Sequence, residues 1–485
     1  MKKTLKLLGL TVLFLIVILV VKTVFYPSKQ LNVEPVDAIE IANKSLQNLS
    51  NAISFKTISH EDNSLTDTLQ FVQFHAFLDS TYPLIFKYLE KEIHGNYALL
   101  YKWQGKNSVL KPLVLLAHQD VVPVVEENWE KAPFSGKIDG EFIWGRGTLD
   151  DKGSLISILE AVEMLLEEKV VPERTVYLAF GDDEEVGGND GARVMAKILR
   201  NRGVEAEMVI DEGMVITTGV VPMISEPVAL IGTSEKGYLS LEITSKFEGG
   251  HAALPQAETA ISILSKALVA ITENQPAPEF TPPVKDFLSY IGPVIPWPAR
   301  VVFANQWLLG GVLKKVYTSS GPGNAAVRTT TAPTMLSAGI RENVLPTEAK
   351  ATVNFRLLPG DSSEKVIAHL ENTINDKRVS VKIVGNTKEP AKVSRIDCEA
   401  FNVLNKTIRE SFGNTYVAPT LMTASSDSYH YSEVSPHVYR FAPYQITPEN
   451  IDLFHNDNER ITIENYKAMI NFYYRLMKNF QKDFN

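Results

Sequence analysis

The chain predicts an α/β fold, a sheet with helices on both faces, interrupted by a smaller α+β unit. Three observations carry that reading. Short, largely apolar runs recur at 113–117 (LVLLA), 175–180 (TVYLAF), 207–210 (EMVI) and 437–442 (HVYRFA), as expected of strands buried in a parallel sheet. Between the first two, residues 151–168 place Leu155, Ile158, Leu159, Val162, Leu165 and Leu166 at helical spacing, which gives one apolar face for packing on the sheet. The stretch separating the last two runs is too long for a loop and carries strand and helix patterns of its own.

Bulk properties narrow the class. At 485 residues the chain exceeds what one hydrophobic core usually fills, so two domains are expected, one of them inserted into the other. The net charge of -9 and the lack of any basic stripe speak against a nucleic-acid partner. Cys398 is the only cysteine. That excludes an intrachain disulfide and a thiolate-ligated zinc site, and leaves Cys398 as a small, partly buried side chain.

Residues 1–26 differ in kind. Lys2, Lys3 and Lys6 precede an apolar stretch from Leu7 to Val21, followed by Lys22 and further apolar residues to Phe25. No small-residue cleavage site follows, so the segment is expected to be an uncleaved signal anchor, with a cleaved signal peptide as the alternative. The lysines orient the N-terminus to the cytoplasm. The remaining chain is then exported, either membrane-anchored on the non-cytoplasmic side or secreted or periplasmic.

Each apolar run ends in acidic residues. After 113–117 come His118 and Asp120; after FIWGRGTL come Asp150 and Asp151; after 175–180 come Asp182, Asp183, Glu184 and Glu185; after 207–210 comes Asp211. A single strand-end Asp is commonly a helix cap, and a lone His commonly serves packing. Four such ends in succession would converge at the carboxyl edge of one parallel sheet, where ligands bind. Carboxylates with imidazole and no thiolate suit Zn²⁺ or a similar divalent ion, and several carboxylates can be shared by two ions.

The segments LLAHQD, GRGTLDDKG, GDDEEVGG, VIDEG and LFHNDNERI resemble, in order and spacing, the five metal-site motifs of the di-zinc aminoacylase and carboxypeptidase S family. The resemblance spans roughly residues 45–480 and looks closest to the membrane-anchored carboxypeptidase S branch, which includes animal enzymes that hydrolyse and condense N-fatty-acyl amino acids. It implies a zinc-peptidase-like mixed sheet flanked by helices, an inserted α+β lid domain, and two Zn²⁺ per chain. His118 and Asp211 would bind one ion, Glu185 and His455 the other, and Asp150 both. Asp120 would orient the His118 ring, and Glu184 would be the general base. Asp151 reads as a helix-start acid, and Asp182 and Asp183 as loop or helix-terminus acceptors.

Motifs and patterns together divide the chain. A signal anchor or signal peptide occupies 1–26, the first part of the catalytic domain 27–235, the inserted lid 236–386, and the second catalytic part 387–485. The lid contains the strand-like GYLSLEITSKF and KATVNFRLLPG and the helix-like ETAISILSKALVAI and SSEKVIAHLENTI. Its EGGHAALP resembles the family motif whose histidine polarises the scissile carbonyl, here His251. RENVLPTEA offers Asn343 as an oxyanion donor, and VNFRLLPG offers Arg356, whose planar fork suits a substrate carboxylate. The Ser/Asp/His cluster in TASSDSYHYSE is not a catalytic triad, since no nucleophile elbow is present. It resembles the family's substrate-pocket turn, with His430 as a contact.

One stretch exceeds the family pattern. Seven of the 26 prolines lie between Pro276 and Pro298, followed by an apolar segment containing Trp297, Phe303, Trp307 and Leu308 and a Gly/Ala/Thr-rich stretch to Ala338. Lid packing, an apolar substrate wall and a membrane-facing surface all fit that composition. Two functions remain to be separated. The first is a di-zinc hydrolase of the amide bond N-terminal to an amino acid with a free carboxylate, acting as a carboxypeptidase on short peptides or on N-acyl amino acids, with hydrophobic residues preferred. The second is a non-catalytic metal-dependent binding protein on the same fold. Glu184 and His251, which a pure binder does not need, favour the hydrolase. Pairing of two chains through the lid is left open.

Overall fold

The computed structural model describes residues 2–481. It forms two compact units. One comprises 28–233, 394–420 and 426 onward, the other the N-terminal residues to 27, 234–393 and 421–425.

The first unit is built on a ten-stranded mixed sheet. At its centre lie β1 (Leu113–His118), β2 (Val176–Gly181), β3 (Met208–Asp211) and β4 (Val438–Arg440). β1 pairs in parallel with both β2 and β3, and β4 in parallel with β3. These are the four apolar runs of the sequence, and every residue in them is buried. Antiparallel strands flank them: Ala98–Trp103 pairs with β2, and Val228–Glu235 with β4.

Both faces are covered, which is why these strands carry no polar alternation. On one face Val114, Leu116, Tyr177, Ala179 and Val209 pack with Met195, Ala196 and Leu199 of the helix Ala192–Asn201. The helix Lys152–Glu167, within the periodic segment, buries thirteen of its sixteen residues and packs against the C-terminal helix Ile463–Asn479.

The second unit holds a four-stranded antiparallel sheet in the order Thr330–Ala338, Glu348–Leu357, Gly237–Lys246, Val379–Ile383. Strict alternation along Glu348–Leu357 buries every second side chain. Ala351, Val353 and Phe355 meet Leu239, Leu241 and Ile243, together with Leu264 and Leu370 of two covering helices. The proline-rich stretch folds as helices rather than loop, and Val284, Leu288, Leu313 and Val327 form a small core among them. The N-terminal helix α1 (Lys2–Val24) belongs to this unit and packs against α2 (Trp297–Ala304).

Candidate active site

Parallel pairing sets β1 and β2 in register with His118 beside Gly181, while Leu115 lies beside Ile210 of β3. Their carboxyl ends therefore open on one edge, and the loops beyond them meet there.

Asp150 sits at the centre. Its Oδ1 lies 2.8 Å from Nε2 of His118, and its Oδ2 3.0 Å from Nε2 of His455. The same His455 nitrogen is 3.2 Å from Glu185 Oε2. His118 Nδ1 lies 3.0 Å from the Asp120 carbonyl oxygen, a contact that places the ring proton on Nδ1. The lone pair on Nε2 then faces a carboxylate oxygen, and two acceptors in contact require a proton or a cation between them. Glu185 Oε1 is buried with no hydrogen-bond partner. One donor atom from each of His118, Asp150 and Glu185 lies within 4.8 Å of the other two. The donor set is imidazole and carboxylate, which fits a divalent cation of the zinc type.

Asp120 organises this edge from behind. Its Oδ1 and Oδ2 accept from the backbone N–H groups of Glu184 and Glu185, both at 3.1 Å. Oδ2 also accepts from the Ser59 hydroxyl at 2.6 Å. Through its carbonyl and its carboxylate, Asp120 thus aligns the ring of His118 and the turn carrying two glutamates. That turn, Glu184–Val186, ends at Gly187 with φ 107° and Gly188 with φ 64°, a left-handed pair that residues with a Cβ rarely adopt. A Cβ on Gly188 would also stand 2.1 Å from Asp427 Oδ1.

The four acids of residues 182–185 divide their work. Asp182 accepts from Tyr97 N–H at 2.8 Å, and Asp183 from the N–H groups of Asp190 and Gly191, just before the helix Ala192–Asn201. Glu184 and Glu185 are left for the cavity.

The electrostatics come from crowding. Burial pushes the Glu184 carboxyl well above its ordinary range, with Asp427, Glu185 and Asp150 adding to the effect and His118 opposing it. Burial also opposes ionisation of Asp150, yet hydrogen bonds and charge from His118 and His455 together hold it below its ordinary value. Hydrogen bonds to Asp150 and Glu185 raise His455 to about 10. The imidazoles are taking the part of cations among excess carboxylates. His455 has φ 57°, a backbone state uncommon for a residue with a side chain and found disproportionately at functional sites.

Two residues missed by sequence reasoning belong here. Asp211, the expected ligand, has Oδ1 accepting from Glu212 N–H at 3.0 Å and Oδ2 from Ser428 N–H at 2.6 Å. It is Glu212 that groups with His118 and Glu184, one donor atom of each within 4.8 Å of the others. VIDEG contains both acids, and strand alternation turns consecutive side chains opposite ways. The second is Glu459, which is fully buried. It accepts from Arg146 Nη1 at 2.5 Å and from the N–H groups of Gly147 and Leu149 at 3.0 and 2.8 Å. Arg146 Nη2 donates to the His455 carbonyl at 3.2 Å. This pair ties the loop carrying Asp150 to the loop carrying His455.

His430 lies with Nε2 3.2 Å from the Gly187 carbonyl, against the glycine turn. Ser426 and Ser428 pair hydroxyl to hydroxyl at 2.7 Å, and Ser428 serves Asp211 rather than a nucleophilic triad.

The remaining expected residues lie in the second unit. The short strand Gly250–His251 pairs with Val344–Leu345, and Ala252 N–H donates to the Asn343 carbonyl at 3.1 Å, so His251 and Asn343 are neighbours. His251 Nδ1 accepts from Ala253 N–H at 3.1 Å; the neutral ring then carries its proton on the exposed Nε2. Arg356 lies opposite Tyr238 and Thr330 on the neighbouring strands, its guanidinium 4.8 Å from the Tyr238 ring centroid. Among the described residues no salt bridge engages it, and its charge adds to burial in lowering nearby Lys236 to about 7.

Known proteins resemble this chain in sequence and in fold. The model of the peptidase family M20/M25/M40 matches residues 114–479. A probable carboxypeptidase S-like 2 of Dictyostelium discoideum is 39% identical over 96% of this chain and 92% of its own. An N-fatty-acyl-amino acid synthase/hydrolase PM20D1 of Xenopus tropicalis is 36% identical over 98% and 94%. Among solved structures, an M20 family metallo-carboxypeptidase of Sulfolobus solfataricus aligns with a TM-score of 0.65 at 17% identity, covering 90% of this chain and 99% of that one. The chain belongs to peptidase family M20/M25/M40, as a metallohydrolase of the carboxypeptidase S-like kind.

Proposed function

We propose that this protein is a di-zinc exported hydrolase that cleaves the amide bond on the nitrogen of an amino acid whose α-carboxylate is free. The observation that carries this is Asp150, whose two oxygens each face a separate imidazole nitrogen beside the unpartnered Glu185 Oε1. A carboxylate so placed suits two cations. His118, Asp150, Glu185, Glu212 and His455 would hold the ions, with Glu212 taking the place first expected of Asp211. The ions, when bound, supply Lewis acidity that acidifies water and polarises the carbonyl.

The chain's own groups complete the reaction. Glu184, beside His118 and Glu212, takes a proton from the attacking water and returns it to the departing amine nitrogen. His251 Nε2–H and the Asn343 amide are donors for the oxygen that gains charge. Arg356, stacked on Tyr238 and in no ion pair among the described residues, is the clamp for the substrate α-carboxylate, with His430 as a further contact. The names of the two relatives extend the substrate class from short peptides to N-fatty-acyl amino acids. The fatty acyl group in the second relative's name supports a preference for hydrophobic acyl groups.

We read α1 as an uncleaved anchor, because an 18-residue window within its residues 3–24 has a mean hydropathy of 2.8 and is almost wholly bare. The test of the reaction compares N-acyl and N-peptidyl leucine and phenylalanine with their C-terminal amides on zinc-loaded protein. The acids are expected to be cleaved well and the amides poorly, and Arg356→Ala to raise KM and lower turnover on the acids alone. Equal rates on acids and amides would remove the clamp and favour an aminopeptidase-like reading.

A further inference from the structure

The apolar segment between Pro296 and Thr318 forms α2 and, after Asn305, α3 (Gln306–Tyr317). Only Leu313 among their residues is fully buried, and Trp297, Trp307, Leu308, Val312 and Val316 stand 44–60% exposed. A monomeric protein in water rarely leaves so many large apolar side chains together on one hairpin.

The neighbour of that surface identifies its partner. The turn joining α2 to α3 is held against the last turns of α1. Asn305, fully buried, donates through Nδ2 to the Leu19 carbonyl and to the Thr23 hydroxyl, both at 3.2 Å. Lys22 Nζ sits 5.4 Å from the Trp307 ring centroid. The Tyr26 hydroxyl donates to the Leu288 carbonyl at 3.1 Å, just beyond the helix end. A buried amide between two apolar helices is the kind of contact that fixes helices together in lipid.

The charge pattern points the same way. Residues 287–341 contain no aspartate or glutamate, although the chain has 57 of them; the segment's charged residues are Arg300, Lys314, Lys315, Arg328 and Arg341. Tryptophan and lysine on an otherwise apolar helix are what an interfacial helix presents to headgroups and acyl chains.

We propose that α2 and α3 lie in the headgroup region of the bilayer that α1 crosses, with Trp297, Trp307, Leu308, Val312 and Val316 in contact with lipid and the basic residues favouring anionic headgroups. The surface joins α1 at residues 19–26, the non-cytoplasmic end of its span, so it meets the membrane at the interface rather than at mid-depth. This rests on the reading of α1 as a retained anchor and is independent of the catalytic assignment.

The experiment uses the full chain with Cys398→Ser, carrying single substitutions Leu308→Cys, Val312→Cys or Val316→Cys, each labelled with an environment-sensitive fluorophore. Leu13→Cys on α1 and Val109→Cys in the catalytic unit serve as references; all five sites are exposed, so none of these labels displaces core packing. The chain is reconstituted in phosphatidylcholine–phosphatidylserine vesicles, and lipid carrying a doxyl quencher is added. Labels at 308, 312 and 316 are expected to lose emission about twofold or more, as at 13, while 109 is unaffected. Quenching at 13 but not at 308, 312 and 316 overturns the proposal and leaves the anchor standing. A label that is blue-shifted yet unquenched by lipid means a second protein copy covers the face, and also overturns it. No quenching at any site overturns both readings. Brominated lipid on the unlabelled chain supplies a check without substitutions: Trp103, Trp129 and Trp144 are buried, so intrinsic quenching reports Trp297 and Trp307.

Discussion

Two neighbouring glutamates with the same charge do different things because of where one aspartate holds their backbone. Asp120 receives the N–H groups of both Glu184 and Glu185 on separate oxygens, and the two side chains then diverge. Glu185 reaches His455, while Glu184 faces the space shared with His118 and Glu212. Glu184→Gln keeps the size and hydrogen-bonding reach of the side chain but cannot accept a proton. Turnover is expected to fall at least about a hundredfold with bound metal unchanged; a rate close to wild type, measured alongside metal content, would place the base elsewhere.

Among the secondary elements, the site depends on loops whose shape is set by buried charge. The loop from Gly145 to Asp150 has little regular structure, and Glu459 supplies the acceptor its N–H groups need while Arg146 neutralises that carboxylate. Breaking one member of a buried pair leaves the other uncompensated. Glu459→Gln retains an acceptor but removes the charge that balances Arg146. It is expected to weaken metal affinity about 10- to 100-fold, read by competition with a chelator, because both Asp150 and His455 lose their support. An unchanged affinity would mean that these loops hold their shape without the pair.

For the whole molecule, the consequence is linkage between protons, metal and stability. In the metal-free chain Asp150 and Glu185 raise His455 to about 10, above the value of about 6.5 for an unfolded histidine. The folded state therefore binds a proton that the unfolded state has lost across that window, and this contribution to stability declines as pH rises from about 6.5 through about 10. Metal-depleted protein is expected to show a Tm that drifts down over that range. Zn²⁺ should flatten the slope and release protons as it binds, since a ligating imidazole must be neutral. Stoichiometric metal uptake with no proton release, monitored by an indicator dye near pH 8, would contradict this.

Local pattern alone was enough to mark the sheet's centre and the acid-rich strand ends that meet at its edge. Four apolar runs became β1 to β4, the 151–168 periodicity became a buried helix, and the acids and histidine after those runs met at one end. The reason is that local patterning sets secondary structure and parallel pairing aligns strand ends. The alternation in 348–357 likewise marked a half-buried strand. Which acid of VIDEG faces the cavity emerged only from the packed fold, since Asp211 is occupied by the N–H of Ser428, 217 residues away. Arg146 meets Glu459 across 313 residues, and Asn305 meets Thr23 across 282. Such contacts leave no periodic trace. They are fixed by which polar atoms remain unsatisfied once the apolar faces have packed, and that is a property of the folded chain alone.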